Sequence, residues 1–180
     1  MAERKIVLVG TPVLRERASE VGPEMLGTPA LHDLVADMVE TMRKAPGVGL
    51  AAPQIGVPLR VIVLEDSDRS MSYLTEEERR ARGRVVVPLT AIVNPVLRFL
   101  GKEKHTFGEG CLSVPGYSAQ VARFAEVEVT GLTADGAPYS WGVSGWPARI
   151  LQHEIDHLDG TLYVDRMNTR TLAALEPRED

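Results

Sequence analysis

The stretch ARILQHEIDHLDG, residues 148–160, places His153 and His157 four positions apart, with Glu154 directly after the first histidine. On a helix that spacing sets both imidazoles on one face and the carboxylate one step around the axis. Two histidines alone do not hold a divalent ion well, because such a site needs at least one more protein ligand. The segment therefore predicts a helix that brings metal-binding chemistry to the centre of the fold.

Upstream, GTPALHDLVADMVETMRKAPG (27–47) is the clearest helix. Thr28 can cap it, Pro29 suits its first turn, and Pro46 and Gly47 end it. Leu31, Leu34, Val35, Met38, Val39 and Met42 recur at helical spacing and form one apolar face. LRVIVLE (59–65), IVNPVLRFL (92–100) and AEVEVTGLT (125–133) read as strands. An Asp-Gly turn at 134–137 makes 125–143 a hairpin. Residues 66–86 are polar and poorly periodic, which predicts a mobile surface insertion with at most a short helix. Strands grouped between helices and joined by hairpins predict an α+β fold: mixed, mostly antiparallel strands around a central helix carrying the HExxH pattern, in one domain spanning 1–180.

The chain of 180 residues is 44% hydrophobic and 25% charged, an ordinary globular balance. A formal net charge of -5 argues against a nucleic-acid protein, whose binding face needs surplus Lys and Arg. MAERKIVLVG, at the N-terminus, reads as a short strand-like run and not as a secretory signal. No apolar run approaches the roughly eighteen residues of a membrane span. With a single cysteine, Cys111, no intramolecular disulfide is possible, and a reducing cytoplasm is the expected location.

The third ligand has few candidates. His32 lies on the flank of the first helix and reads as a half-exposed helix histidine. His105, in KEKHTFGEG, reads as a polar loop residue. Cys111 stands in FGEGCLSVPG, a glycine- and proline-rich segment able to approach a ligand closely. A lone cysteine can be a small core hydrophobe, but beside a two-histidine helix its thiolate suits a metal of this kind. Cys/His/His leaves an open position, as catalytic sites require. Glu109 and Arg123 flank the cysteine segment and are expected to pair, since a carboxylate beside a thiolate needs a compensating donor.

Three segments in order, GVGLAAPQIG (47–56), EGCLSVP (109–115) and QHEIDHLDG (152–160), resemble the signature motifs of the peptide deformylases. These are metal hydrolases that remove the formyl group from the N-terminal methionine of new proteins. GYSAQVARFAEVEV and SGWPARILQHE look more like the organellar and some actinobacterial members than the enterobacterial ones. The resemblance implies Cys111, His153 and His157 as metal ligands and Glu154 as the acid/base. It implies Gln54, with the backbone N–H of Leu112, as the oxyanion donors, and Gly49 as a backbone contact for the substrate strand. Val48, Trp146, Arg149 and Ile150 fall where the family builds its methionine pocket, although Trp146 and Arg149 stand where many bacterial members look aliphatic. Fe²⁺ is the implied ion in the cell, with Zn²⁺, Ni²⁺ or Co²⁺ acceptable to such a ligand set. The implied partners are N-formyl-methionyl nascent peptides, with transient ribosome contact, for a monomer that binds neither nucleic acid nor membrane. The chain ends soon after His157, leaving little of the long C-terminal helix through which some members would dock on a ribosome.

Rival readings remain. An HExxH metallopeptidase would take its third ligand downstream, where only Asp159 and Asp165 are available. A binding protein that had lost the chemistry should have lost Glu154 or a ligand. A hydrolase of another N-acyl group stays open, although the small GVGLAA loop favours a compact acyl group.

Overall fold

The computed structural model describes residues 2–45 and 47–175. Pro46, expected to help end the first helix, lies outside the described residues. Helix α1 (Pro29–Lys44) begins where the Thr28 side chain accepts from the Leu31 N–H, with Pro29 in the first turn. It is followed by β1 (Gly49–Ala51), a 3-10 turn at Ala52–Ile55, β2 (Val61–Asp66), the short α2 (Glu76–Ala81) and β3 (Val87–Phe99). Then come β4 (Lys104–Cys111), β5 (Val114–Phe124), β6 (Glu126–Leu132), β7 (Pro138–Ser144), α3 (Gly145–Leu158), α4 (Tyr163–Arg166) and β8 (Ala173–Ala174).

Two sheets result, one of five strands in the order β1-β2-β3-β6-β7 and one of three in the order β4-β5-β8. All of the pairings within them are antiparallel. This is the α+β arrangement the sequence predicts, with α3 as its central helix. The larger sheet is covered on both faces. Ile62 and Leu64 of β2 share a core layer with Leu151, Ile155 and Leu158 of α3. Val61 and Val63 face the layer formed by Leu31, Met38 and Met42 of α1. A strand buried on both sides has no reason to alternate, which explains the unbroken apolar run of β2. Helix α3 also reaches β5 of the smaller sheet, where Leu14, Val121, Leu162 and Tyr163 make a third core.

Two local expectations are corrected. The N-terminal run does not form a strand. Its Val7 N–H donates to the Gln54 carbonyl and its Val9 N–H to the Ser113 carbonyl, each at 2.8 Å. Single bonds to two different loops tie the chain down without making a ladder. The segment FGEGCLSVPG forms the tip of the β4–β5 hairpin, in which Cys111 pairs with Val114. His105 accordingly sits on β4, not in a loop.

The 66–86 excursion is braced at its base. Arg84 Nε and Nη2 reach Asp66 Oδ2 and Oδ1 at 2.7 and 3.1 Å, and both residues are buried. Met71 and Leu74 tuck inside it, and Thr75 and Glu78 cap α2 reciprocally. A polar composition hid these anchors. Among the described residues no helix is long and apolar enough to cross a membrane.

Candidate metal centre

Four elements meet at the site. Helix α3 contributes His153, Glu154 and His157, the end of β4 contributes Cys111, the 3-10 turn contributes Gln54, and β1 contributes Gly49. The sequence thus brings residues about a hundred positions apart to one point, because α3 lies against both sheets.

Cys111, His153 and His157 each offer one ligand atom, and these atoms all lie within 4.8 Å of one another. Cys111 Sγ stands 3.2 Å from His157 Nε2. Two ligands of a tetrahedral ion bound at ordinary Zn–S and Zn–N lengths lie about 3.5 Å apart, so this cluster fits a divalent ion. The donor set agrees, since thiolate plus two imidazoles suits zinc and its neighbours in the first transition row.

His153 is oriented from behind. Its Nδ1 lies 3.1 Å from Glu109 Oε2, which leaves Nε2 as its ligand atom. Glu109 also accepts Arg123 Nε and Nη2, each at 2.9 Å, so the expected pair exists. A second arginine joins it: Arg149 Nη1 donates to Glu109 and to the Val121 carbonyl, and Nη2 donates to the His105 carbonyl. Burial opposes ionisation of Glu109, but the donors from Arg123 and His153 overcome it and hold the carboxyl well below the usual range. On the far side, Arg123 bonds Asp156, which also takes Arg166 Nε and Nη2 at 2.6 and 2.7 Å.

Glu154 is 4% exposed, and one of its carboxylate oxygens has no hydrogen-bond partner among the described residues. Burial pushes its carboxyl up to about 7. A Cβ added to Gly49 would stand 2.4 Å from Glu154 Oε1, so only glycine leaves the carboxylate its place. Gln54 is fixed at both ends of its amide. Oε1 accepts the Ala51 N–H at 2.9 Å, and Nε2 donates to Ser113 Oγ at 3.3 Å and approaches Cys111 Sγ at 3.6 Å. Leu112 occupies the hairpin tip directly after Cys111, and its side chain crowds Gly47.

Of the pocket residues, Val48, Trp146 and Ile150 belong to one apolar cluster. Arg149 is placed differently from a pocket wall. It is 3% exposed and its guanidinium serves Glu109 and two backbone carbonyls. His32 meets Asp135 and His105 meets Glu103 at the surface, each at 3.0 Å, so neither joins the centre. The contact of Arg149 with Glu109 is what sequence reasoning missed. The position of Arg149 one helical turn before His153 was the available signal.

The family profile described as "Polypeptide deformylase" matches residues 3–173. Among curated relatives, the chloroplastic/mitochondrial peptide deformylase 1A of Arabidopsis thaliana is 52% identical over 172 residues, covering 96% of this chain and 64% of that protein. The chloroplastic peptide deformylase 1A of Solanum lycopersicum is 50% identical over 171 residues, covering 95% of this chain and 62% of its own length. The chain thus spans a little under two thirds of these two plant relatives. Among solved structures, the Met-Ala-Ser-bound class I type b peptide deformylase of Acinetobacter baumannii superimposes with a TM-score of 0.82 at 32% identity, covering 92% of this chain and 99% of that one. A three-ligand centre on this fold, matched over nearly the whole chain, leads to one conclusion: the chain belongs to the polypeptide deformylase family.

Proposed function

We propose that this protein is a metal-dependent amide hydrolase that removes the formyl group from the N-terminal formyl-methionine of nascent polypeptides and releases formate. The observation that carries the reading is the approach of Glu154 to Gly49 beside the Cys111/His153/His157 cluster, with the Gln54 amide facing the same sulfur. An HExxH metallopeptidase is disfavoured, since Asp159 is paired with Arg60 and Asp165 with Arg15.

Cys111, His153 and His157 hold one divalent ion, Fe²⁺ in the cell, with Zn²⁺, Ni²⁺ or Co²⁺ able to replace it. When bound, such an ion supplies Lewis acidity and a water whose pKa falls toward about 7. Glu154, buried beside this position and raised to about 7, takes the proton of the attacking water and returns it to the departing nitrogen. Gln54 Nε2 and the Leu112 backbone N–H donate to the oxygen that becomes negative, and Ala51 keeps the amide from rotating. Val48, Trp146 and Ile150 receive the methionine side chain, while the Gly49 backbone pairs with the peptide as an added strand. Arg149, on the same helix, serves the site by fixing Glu109.

The acting unit is a single catalytic domain, monomeric and cytoplasmic, whose partners are formylated nascent chains with transient ribosome contact. The Acinetobacter baumannii relative has been solved with Met-Ala-Ser bound, which supports a methionine-led peptide as the occupant of this site. The test is formate release from a formyl-Met peptide by anaerobically purified, Fe²⁺- or Ni²⁺-loaded protein, with the acetyl-Met peptide as control. Formate without acetate supports both the reaction and its acyl selectivity. Absence of formate from folded, metal-replete protein overturns it.

A further inference from the structure

The braced excursion over residues 66–86 has no part in the chemistry above, yet its last turn lands on the first turn of α3. The Gly83 carbonyl accepts the Trp146 backbone N–H at 3.1 Å. Gly83 (φ +55°) and Gly145 (φ +68°) approach so closely that a Cβ on Gly145 would lie 2.6 Å from the Gly83 carbonyl oxygen. Both glycines are therefore demanded by conformation and by contact.

Around the indole of Trp146 stand three guanidinium groups. The central carbons of Arg82, Arg84 and Arg149 lie 5.6, 5.2 and 5.7 Å from its ring. Each favours the ring's negative π face, but three like charges round one side chain repel one another. Arg84 is held there by buried Asp66, and Arg149 by Glu109. Arg82 is half-buried; it attracts Glu78 electrostatically and sets its guanidinium over the indole. Phe107 closes a further side at 6.3 Å between rings. So much restraint on one half-buried tryptophan, whose indole Nε1 is itself buried, is more than filling space requires. Trp146 shares its cluster with Val48 and Ile150, and Val48 precedes the glycine that abuts Glu154.

We infer that Arg82, Gly83 and Arg84 position Trp146 as a rigid outer wall of the pocket for the substrate's first side chain, so that the 66–86 excursion sets which side chains are admitted. The inference rests on the deformylase reading above. A wall fixed from outside limits the pocket's breadth, and loosening it admits bulkier side chains at little cost to the reaction itself. Arg82 touches no substrate and is a positioning residue.

The experiment compares wild type with Arg82→Ala, Arg82→Lys and Gly83→Ala on formyl-Met and formyl-Phe tripeptides, with metal content measured for each protein. Arg82→Ala should raise the ratio of kcat/KM for formyl-Phe over formyl-Met about two- to fivefold, the fold-change expected from one exposed cation–π contact. The change should appear in KM, with kcat on formyl-Met held. Arg82→Lys, which keeps a cation at the ring, should restore most of the ratio. Gly83→Ala should move it further, since its Cβ would stand 3.1 Å from Gly145 Cα. A purely structural role lowers both substrates together and leaves the ratio alone. A wild-type ratio in both Arg82→Ala and Gly83→Ala overturns the inference. Failure of the wild type itself to release formate from formyl-Met overturns the underlying reading, and is seen before any variant is compared.

Discussion

Glu109 Oε2 lies 3.1 Å from His153 Nδ1, while the same carboxylate takes Nε and Nη2 of Arg123. Partners of this kind set the tautomer and direction of a ligating imidazole. Glu109→Gln keeps an acceptor in place but loses the charge that Arg123 and Arg149 neutralise. Metal affinity should fall about 10- to 100-fold, measured by competition with a chromogenic chelator. Unchanged affinity would show that His153 is oriented by its helix alone.

Glu154 is assigned the proton and nothing else. Glu154→Ala should lower kcat on the order of 100- to 10,000-fold with metal content unchanged, checked by formate assay and elemental analysis on one preparation. Loss of metal together with activity would instead make Glu154 part of the binding site.

The glycine facing that carboxylate carries a separate test. In Gly49→Ala the new methyl would stand 2.4 Å from Glu154 Oε1, so the carboxylate must move. A displacement of about 1 Å in a catalytic group can cost on the order of 100-fold in rate, and kcat should fall by that much. The ligands are untouched, so metal stoichiometry should hold.

Arg84 and Asp66 form a bidentate pair with side chains 3% and 0% exposed. Arg84→Met strands a buried carboxylate and should cost about 3–5 kcal/mol in chemical denaturation. Adding Asp66→Asn should recover part of that loss. Equal stability in the single and double variants would mean that Asp66 reaches water once released.

Asp37 on α1 accepts the Ala2 N–H at 2.6 Å and Arg4 Nε at 2.8 Å. The backbone donor first, and then Arg4, hold its carboxyl below the ordinary value. A carboxyl depressed in the folded state stabilises the protein above its unfolded pKa of about 3.9 and loses that effect as pH falls through the folded value. Thermal stability of Asp37→Asn should therefore lie below wild type at pH 7 and converge with it in acid. A constant gap across pH would place the effect in packing.

The parts most legible in the sequence were those with a single physical cause. Thr28-Pro29 and the apolar spacing after it mark α1, because a cap and one buried face are both written locally. β2 is legible for the opposite reason, since burial on both faces leaves an unbroken apolar run. β4 escaped notice because Lys104, His105 and Thr106 are all exposed, and the inward positions that alternate after them, Phe107, Glu109 and Cys111, include a carboxylate and so make no apolar pattern. The ligand cluster was readable from spacing and cysteine count, and the Glu109–Arg123 pair from charge logic. The burial of Arg149 against Glu109 was not, because its spacing from His153 places it on the ligand face of α3 but says nothing of which β4 residue that face meets.

The two hydrogen bonds of the N-terminal run, Val7 to the Gln54 carbonyl and Val9 to the Ser113 carbonyl, have a kinetic meaning. They join the start of the chain to the 3-10 turn that carries Gln54 and to the β4–β5 hairpin tip beside the cysteine, while the histidines arrive only with α3. The three parts of the centre, the Gly49–Gln54 segment, the Cys111 hairpin and the α3 histidines, are thus distant in sequence from one another, and loop-closure entropy must be met before they meet. The site should consequently be among the last features to mature during folding. A chain still being synthesised has no complete ligand set until α3 has docked against both sheets.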